Sequence, residues 1–74
     1  MTANDYIRSR GLVPAVVSQK MGVSRQCIDQ WGKTRNPTAK SIQRLAKAMT
    51  DLGVPTSIVD IVAAVYDEKL ESGD

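Results

Sequence analysis

The chain contains no histidine, no phenylalanine and a single cysteine, Cys27. One cysteine cannot form a disulfide within the chain, and without histidine an ordinary zinc site has too few ligands. Histidine is also the usual general base near neutral pH, and the carboxylates of this sequence stand beside no nucleophile pattern. We therefore expect no metal, no cofactor and no enzymatic activity.

Long apolar runs are also missing, because no stretch has the length and composition of a signal peptide or a membrane span. We therefore expect a soluble, intracellular protein that lies in the cytoplasm and associates with the nucleoid. A chain of 74 residues predicts one small domain over 1–74. Such a domain has little core to spare and often gains stability by association.

Acidic residues are scarce over most of the chain. Between residues 6 and 50 nine basic residues stand against one acid, Asp29, for a net charge of +8. From residue 51 onward six acids stand against Lys69, for a net charge of −5. This division predicts a body that is attracted to polyphosphate and a terminal segment that polyphosphate repels.

The apolar pattern predicts an all-α fold of five helices, with no convincing pair of strands. Hydroxyl or proline residues mark the helix starts, and glycines mark several of the ends. The predicted helices run from Ala3 to about Arg10, Pro14 to Met21, Arg25 to about Gly32, Thr38 to about Leu52, and within Pro55 to Leu70.

The last of these segments is the most ambiguous, since its β-branched residues would also suit a strand. A hairpin needs a turn, however, and the middle of the segment is Ala63-Ala64 without glycine, asparagine or proline. On a helical wheel the apolar residues fill an arc of roughly 180°, wider than the ~100° that a core-facing stripe requires. We therefore expect a helix with apolar surface to spare.

Residues 14–33 form the most informative pattern, two short amphipathic helices joined at Gly22. Glycine can take a positive φ and so end the first helix sharply, and Ser24 is a good N-cap for the second. Apolar residues recur three or four positions apart on the facing sides of both helices. The positions predicted to face inward are Val17, Met21, Val23, Ile28 and Trp31.

This stretch resembles the Cro/cI (lambda-repressor-like, XRE) helix-turn-helix family, and with the following RNPTAKSIQRLAKAM the resemblance covers roughly residues 5–52. The five inward positions and Gly22 all match the family pattern. The resemblance implies a five-helix lambda-repressor-like domain that lays its third helix in the major groove of DNA. Two positions depart from the family: Pro14 has no N–H to donate to a phosphate, and Ser18 brings a hydroxyl that needs a partner.

The outer face of the third helix is polar, as base recognition requires. Arginine suits the O6 and N7 acceptors of guanine, and glutamine suits adenine. The alternative is an ordinary solvated face, which would more often carry glutamate and lysine. We expect base contacts from Ser24, Arg25, Gln26, Asp29 and Gln30. Asp29 has a competing role, since it lies four residues before Lys33 and could pair with it.

The loop after the third helix and the start of the fourth are rich in basic and polar residues. The resemblance implies contacts from this loop to the DNA backbone, and a helix N-terminus adds N–H donors. The predicted phosphate contacts are Lys33, Arg35, Asn36, Thr38 and Lys40. Arg44 and Lys47 suit a solvated face better, and the roles of Arg8 and Arg10 stay open.

Trp31 and Cys27 are both interpreted as core residues. Trp31 occupies an inward position of the pattern, and stacking on a base is the weaker alternative. Cys27 fits a small slot behind the polar face, where burial is a simpler account than redox chemistry.

Taken together, the residues predict a sequence-specific DNA-binding repressor of the Cro type, from a phage or prophage, that binds a palindromic operator in double-stranded DNA as a homodimer. The helix in 54–70 is predicted to supply the dimer interface through Val59, Tyr66 and Leu70. The alternative from another class is an antitoxin or similar interaction module, whose acidic, apolar final helix binds a partner protein. An architectural role of the excisionase kind also stays open.

Overall fold

A computed structural model describes residues 1–66 of the chain. This part contains five helices and no strand, which confirms the all-α prediction. The helices are α1 (Ala3–Ser9), α2 (Pro14–Met21), α3 (Arg25–Asp29), α4 (Ala39–Asp51) and α5 (Ile58–Val65).

Four of these helices begin at a hydroxyl residue whose oxygen accepts a backbone N–H three positions later, as N-caps do. These caps are Thr2, Ser24, Thr38 and Ser57. The start of α2 differs, because Pro14 occupies a first-turn position where its missing N–H costs least. Sequence therefore fixes the helix starts by local hydrogen bonding.

The core lies between α1, α4 and α5 on one side and the α2–α3 pair on the other. Helix α4 contributes buried residues spaced three and four positions apart, namely Ile42, Leu45, Ala46 and Met49. Trp31 is 1% exposed, so its interpretation as a core residue is confirmed. Cys27 is half-buried against the same core. The largest fully buried apolar side chains are Trp31, Ile7, Ile28, Leu45, Met49 and Ile61.

Two helices are shorter than the sequence predicts. Helix α3 ends at Asp29 rather than near Gly32, because Trp31 turns into the core and Gly32 follows with a φ of 79°. Helix α5 begins at Ile58 rather than Pro55, since Ser57 and Asp60 form a reciprocal capping box. It ends at Val65, where Tyr66 is extended, and the predicted continuation from 67 to Leu70 lies outside the described residues.

The turn after α3 is packed against both ends of the described chain. The Ala3 N–H donates to the Trp31 carbonyl at 3.0 Å, which ties α1 to this turn. A Cβ at Gly32 would lie 2.8 Å from the Met1 carbonyl oxygen and 3.1 Å from that of Val65. Only glycine allows the start of α1, the end of α5 and this turn to meet so closely.

Candidate nucleic-acid interface

Helices α2 and α3 are joined by a tight turn of three residues. Gly22 has a φ of 73° and ends α2 in the left-handed conformation, and the Val23 N–H then donates to the Ser18 carbonyl at 3.1 Å. The Ser18 hydroxyl, which needed a partner, donates to the Ala15 carbonyl at 2.9 Å. The turn therefore has the local hydrogen bonds that fix the direction of α3 relative to α2.

Helix α3 is held by its inner side and exposes its outer side. Ile28 is fully buried and Cys27 half-buried, while the Ser24 oxygen accepts the Cys27 N–H at 3.3 Å. Four of the five residues predicted to contact bases are exposed together here. They are Ser24, Arg25, Gln26 and Gln30.

Asp29, the fifth predicted base contact, is half-buried and belongs to a different set of contacts. Its carboxylate accepts a hydrogen bond from the Asn4 side-chain amide of α1. The predicted ion pair with Lys33 is not formed, because α3 ends at Asp29 and Lys33 no longer lies one helical turn further on. Asp29 therefore connects α3 to α1, and the intrahelical pairing proposed for it is wrong in this structure.

The five predicted phosphate contacts lie close in sequence but differ in accessibility. Lys33, Arg35 and Lys40 are exposed, and Arg35 is already engaged in an interaction. The Thr38 hydroxyl caps α4, accepting the Ser41 N–H at 3.2 Å and donating to the Ser41 hydroxyl at 3.0 Å. Its one proton is therefore used within the protein.

Asn36 is the clear correction among these residues. Its side chain is 0% exposed and is not free, so it cannot reach a phosphate from the position it has here. The reason is the tight loop, in which the N–H groups of residues 33, 34 and 35 all converge on the Gln30 carbonyl at 3.0 to 3.2 Å. Because of this loop conformation, Asn36 lies in the interior, and the next residue, Pro37, is buried as well.

A polar groove of about 480 Å³ separates the start of α1 from α3. It brings Arg8, whose role the sequence left open, to the same groove as Arg25 and Lys33. Asp5 and Asp29 also line it, so the groove mixes three cations with two carboxylates. This grouping could not be predicted from local sequence patterns, because α1 and α3 are far apart along the chain.

Two arginine residues make contacts that the sequence interpretation did not predict. Arg44 is not simply solvated, since its guanidinium donates to the Met21 carbonyl at the end of α2 at 2.8 Å. A cation at a helix C-terminus is favourable, and this bond fastens α4 to the two-helix unit. Arg10 lies over the Tyr6 ring, 5.4 Å from its centroid, and so packs on α1 itself.

Neither of the described residues predicted for the dimer interface lines the groove between α1 and α3. Val59 on α5 is 74% exposed and Tyr66 is 38% exposed, and Leu70 lies outside the described residues. Ile58 and Val62 add to the same exposed apolar surface. The sequence prediction that α5 has apolar surface beyond what the core uses is confirmed for the described part of the helix.

In residues 1–66, no group of acidic or cysteine side chains is placed to hold a metal ion. Every helix in this part of the chain is too short or too polar to cross a lipid bilayer. Comparison of the chain with family models, with curated proteins and with solved structures found no match.

Proposed function

We propose that this protein is a sequence-specific DNA-binding regulator, a repressor of the Cro type that acts by occupying an operator. The observation that carries the proposal is the outer face of α3, where Arg25, Gln26 and Gln30 are exposed. The opposite side of the helix is packed into the core through Ile28. Arginine and glutamine side chains match the hydrogen-bonding edges of guanine and adenine in the major groove. The α2–turn–α3 unit is short enough for α3 to enter that groove.

The charge distribution supports nucleic acid as the partner. Residues 6–50, which include α3, carry a net charge of +8. Lys33 and Lys40 are exposed on the loop and the helix that follow α3. The N-terminus of α4 lies next to Lys40, and the first N–H groups of a helix have no partner within the helix. These groups would bind the DNA backbone and fix the register in which α3 meets the bases.

One copy of the protein would contact only a short DNA sequence, since α3 has only five residues. A single unit of this kind covers about four or five base pairs, and two-fold symmetry doubles the site. The exposed apolar face of α5 supports a second copy of this chain as the partner, because Val59 and Tyr66 are more exposed than a helix of a closed monomer core requires. The end of α5 contacts the turn after α3, so an α5–α5 interface would set the spacing of the two α3 helices.

Selection of bound sequences from random DNA tests this proposal directly. We expect the purified protein to enrich an inverted repeat. Gln26→Ala and Arg25→Ala should each lower affinity for that repeat by ~1–3 kcal/mol while leaving binding to random DNA nearly unchanged. Gln43→Ala, which removes an exposed glutamine from α4, is the matched control and should change neither. Equal losses on both DNAs would remove α3 from base recognition.

A second candidate function is supported by the same α5 surface. An exposed apolar face can bind a different protein, in the way an antitoxin binds its toxin, with DNA binding secondary. The two candidates differ in one measurement. If the protein forms a stable complex with a co-expressed neighbouring gene product and α5 is protected from hydrogen exchange in it, the interaction module is favoured; self-association through α5 favours the repressor.

A further inference from the structure

Asn4 lies on α1, outside the α2–α3 unit, and its contacts are unusual. Its amide group donates to the Asp29 carboxylate across a separation of 25 residues. Its other polar atom, the carbonyl Oδ1, is buried and has no hydrogen-bond partner among the described residues. A buried acceptor without a partner costs free energy, and only the amide group of Asn4 is used, in the bond to Asp29. The contact with Asp29 is therefore the feature of Asn4 that needs an explanation.

The partner of Asn4 is the last residue of the exposed recognition helix. Asp29 lies four residues after Arg25, the spacing at which an acid and a base on a helix can pair. Both side chains line the groove between α1 and α3, together with Lys33. A carboxylate released from Asn4 would therefore find cations close by, Arg25 among them.

We propose that Asn4 is a positioning residue that determines specificity in the DNA complex. By holding the Asp29 carboxylate against α1, it keeps that charge away from Arg25 and leaves the guanidinium to bind a base. This inference rests on the proposed function, since it assigns Asn4 a role in the site that α3 presents to DNA.

The test compares the selected DNA motif of the wild type with the motifs of Arg25→Ala, Asn4→Ala and the double variant Asn4→Ala/Asp29→Ala. The Arg25→Ala motif identifies the base position that Arg25 reads. We expect Asn4→Ala to weaken the preference at that position about tenfold, with little change in binding to random DNA. The double variant should regain the preference, because the carboxylate one helical turn from Arg25 is then absent.

Folding is followed in parallel by thermal unfolding, and Asn4→Ala should stay cooperatively folded with at most a small fall in melting temperature, since one hydrogen bond is lost. Asn4→Asp, which places a second carboxylate beside Asp29, should lose the same preference as Asn4→Ala. The proposal would be overturned if Asn4→Ala left the motif unchanged, or if it weakened the preference evenly at all positions. It would also be overturned by a large fall in the melting temperature of Asn4→Ala, or by a double variant that does not recover the preference. A wild type that enriches no motif would overturn the proposed function itself, and this inference with it.

Discussion

Helices α3 and α5 are both short and both begin at a serine N-cap, but they expose opposite kinds of surface. On α3 the exposed side chains are polar or cationic, and Gln26 is typical of them. On α5 the exposed side chains are mainly β-branched, with Val59 at 74% exposure. Each helix still buries at least one aliphatic side chain, Ile28 in α3 and Ile61 in α5, so both are anchored to one core.

The difference supports the proposal of two kinds of partner. Polar groups lose hydration when they are covered, so α3 can be covered only by a surface that returns hydrogen bonds and negative charge. Apolar groups gain free energy when they are covered, so α5 suits another apolar surface. Nucleic acid for α3 and a second protein chain for α5 meet these requirements. Gly32 joins the two regions, because the turn that follows α3 touches the end of α5 there.

The largest effect is expected at this junction. Gly32 has a φ of 79°, and a Cβ there would lie 2.8 Å from the Met1 carbonyl oxygen. We expect Gly32→Ala to lower the free energy of unfolding by ~2–5 kcal/mol, part from the left-handed backbone and part from overpacking. Urea denaturation measures the loss.

Gly11→Ala is the matched control for this change. Gly11 has a φ of 80°, and a Cβ there would meet nothing within 4 Å. It should therefore lose only the backbone share, ~1–2 kcal/mol. Equal losses in the two variants would show that the close approach at Gly32 does not couple α3 to α5.

A smaller but specific effect is expected on the apolar side of the comparison. Val59→Asp and Tyr66→Asp should weaken self-association by ~2 kcal/mol or more, about 30-fold, because each places a carboxylate in an apolar contact. Leu70→Asp belongs to the same series, although Leu70 lies outside the described residues. Sedimentation over a range of concentrations, without DNA, gives the dissociation constants.

Val16→Asp is the control for the α5 variants. It places the same carboxylate at an exposed valine of α2, where 44% of the side chain is accessible. Its dissociation constant should match that of the wild type. If the α5 variants stay folded and associate as the wild type does, the interface lies elsewhere. The exposed apolar surface of α5 would then not be a site of self-association.

Sequence predicts the parts of this structure that depend on neighbouring residues. Caps such as Ser24 and Thr38 act on N–H groups three positions away, and Gly22 supplies a positive φ within one turn. The burial of Trp31 is also predicted from its spacing to Ile28, although α3 ends at Asp29 before reaching it. For the same reason the exposed face of α3 could be named in advance, since it is what remains when the inward residues are assigned.

The parts that sequence missed depend on contacts between distant segments. The pairing of Asn4 with Asp29 and the bond from Arg44 to the Met21 carbonyl join residues more than twenty positions apart. The burial of Asn36 follows from how the loop winds around the Gln30 carbonyl, which no periodicity encodes. The early end of α3 has the same origin, because Trp31 turns into the core and Gly32 meets the start of α1 and the end of α5.

The smallest effect is expected from single charges beside α3, and it sharpens the polar side of the comparison. If about three or four phosphates are contacted per subunit, a dimer should give a slope of roughly −6 in log K against log salt. Lys40→Ala, in the first turn of α4, should make that slope shallower by about 2 for a dimer on every sequence tested, because one phosphate contact is lost per subunit.

Lys47→Ala removes the same charge two turns further along α4, in a separate groove with Lys20 and Arg44, and should leave the slope nearly unchanged. Filter binding at several salt concentrations measures both slopes. Because the two variants have the same net charge, identical slopes would mean that general attraction rather than defined phosphate contacts accounts for the affinity.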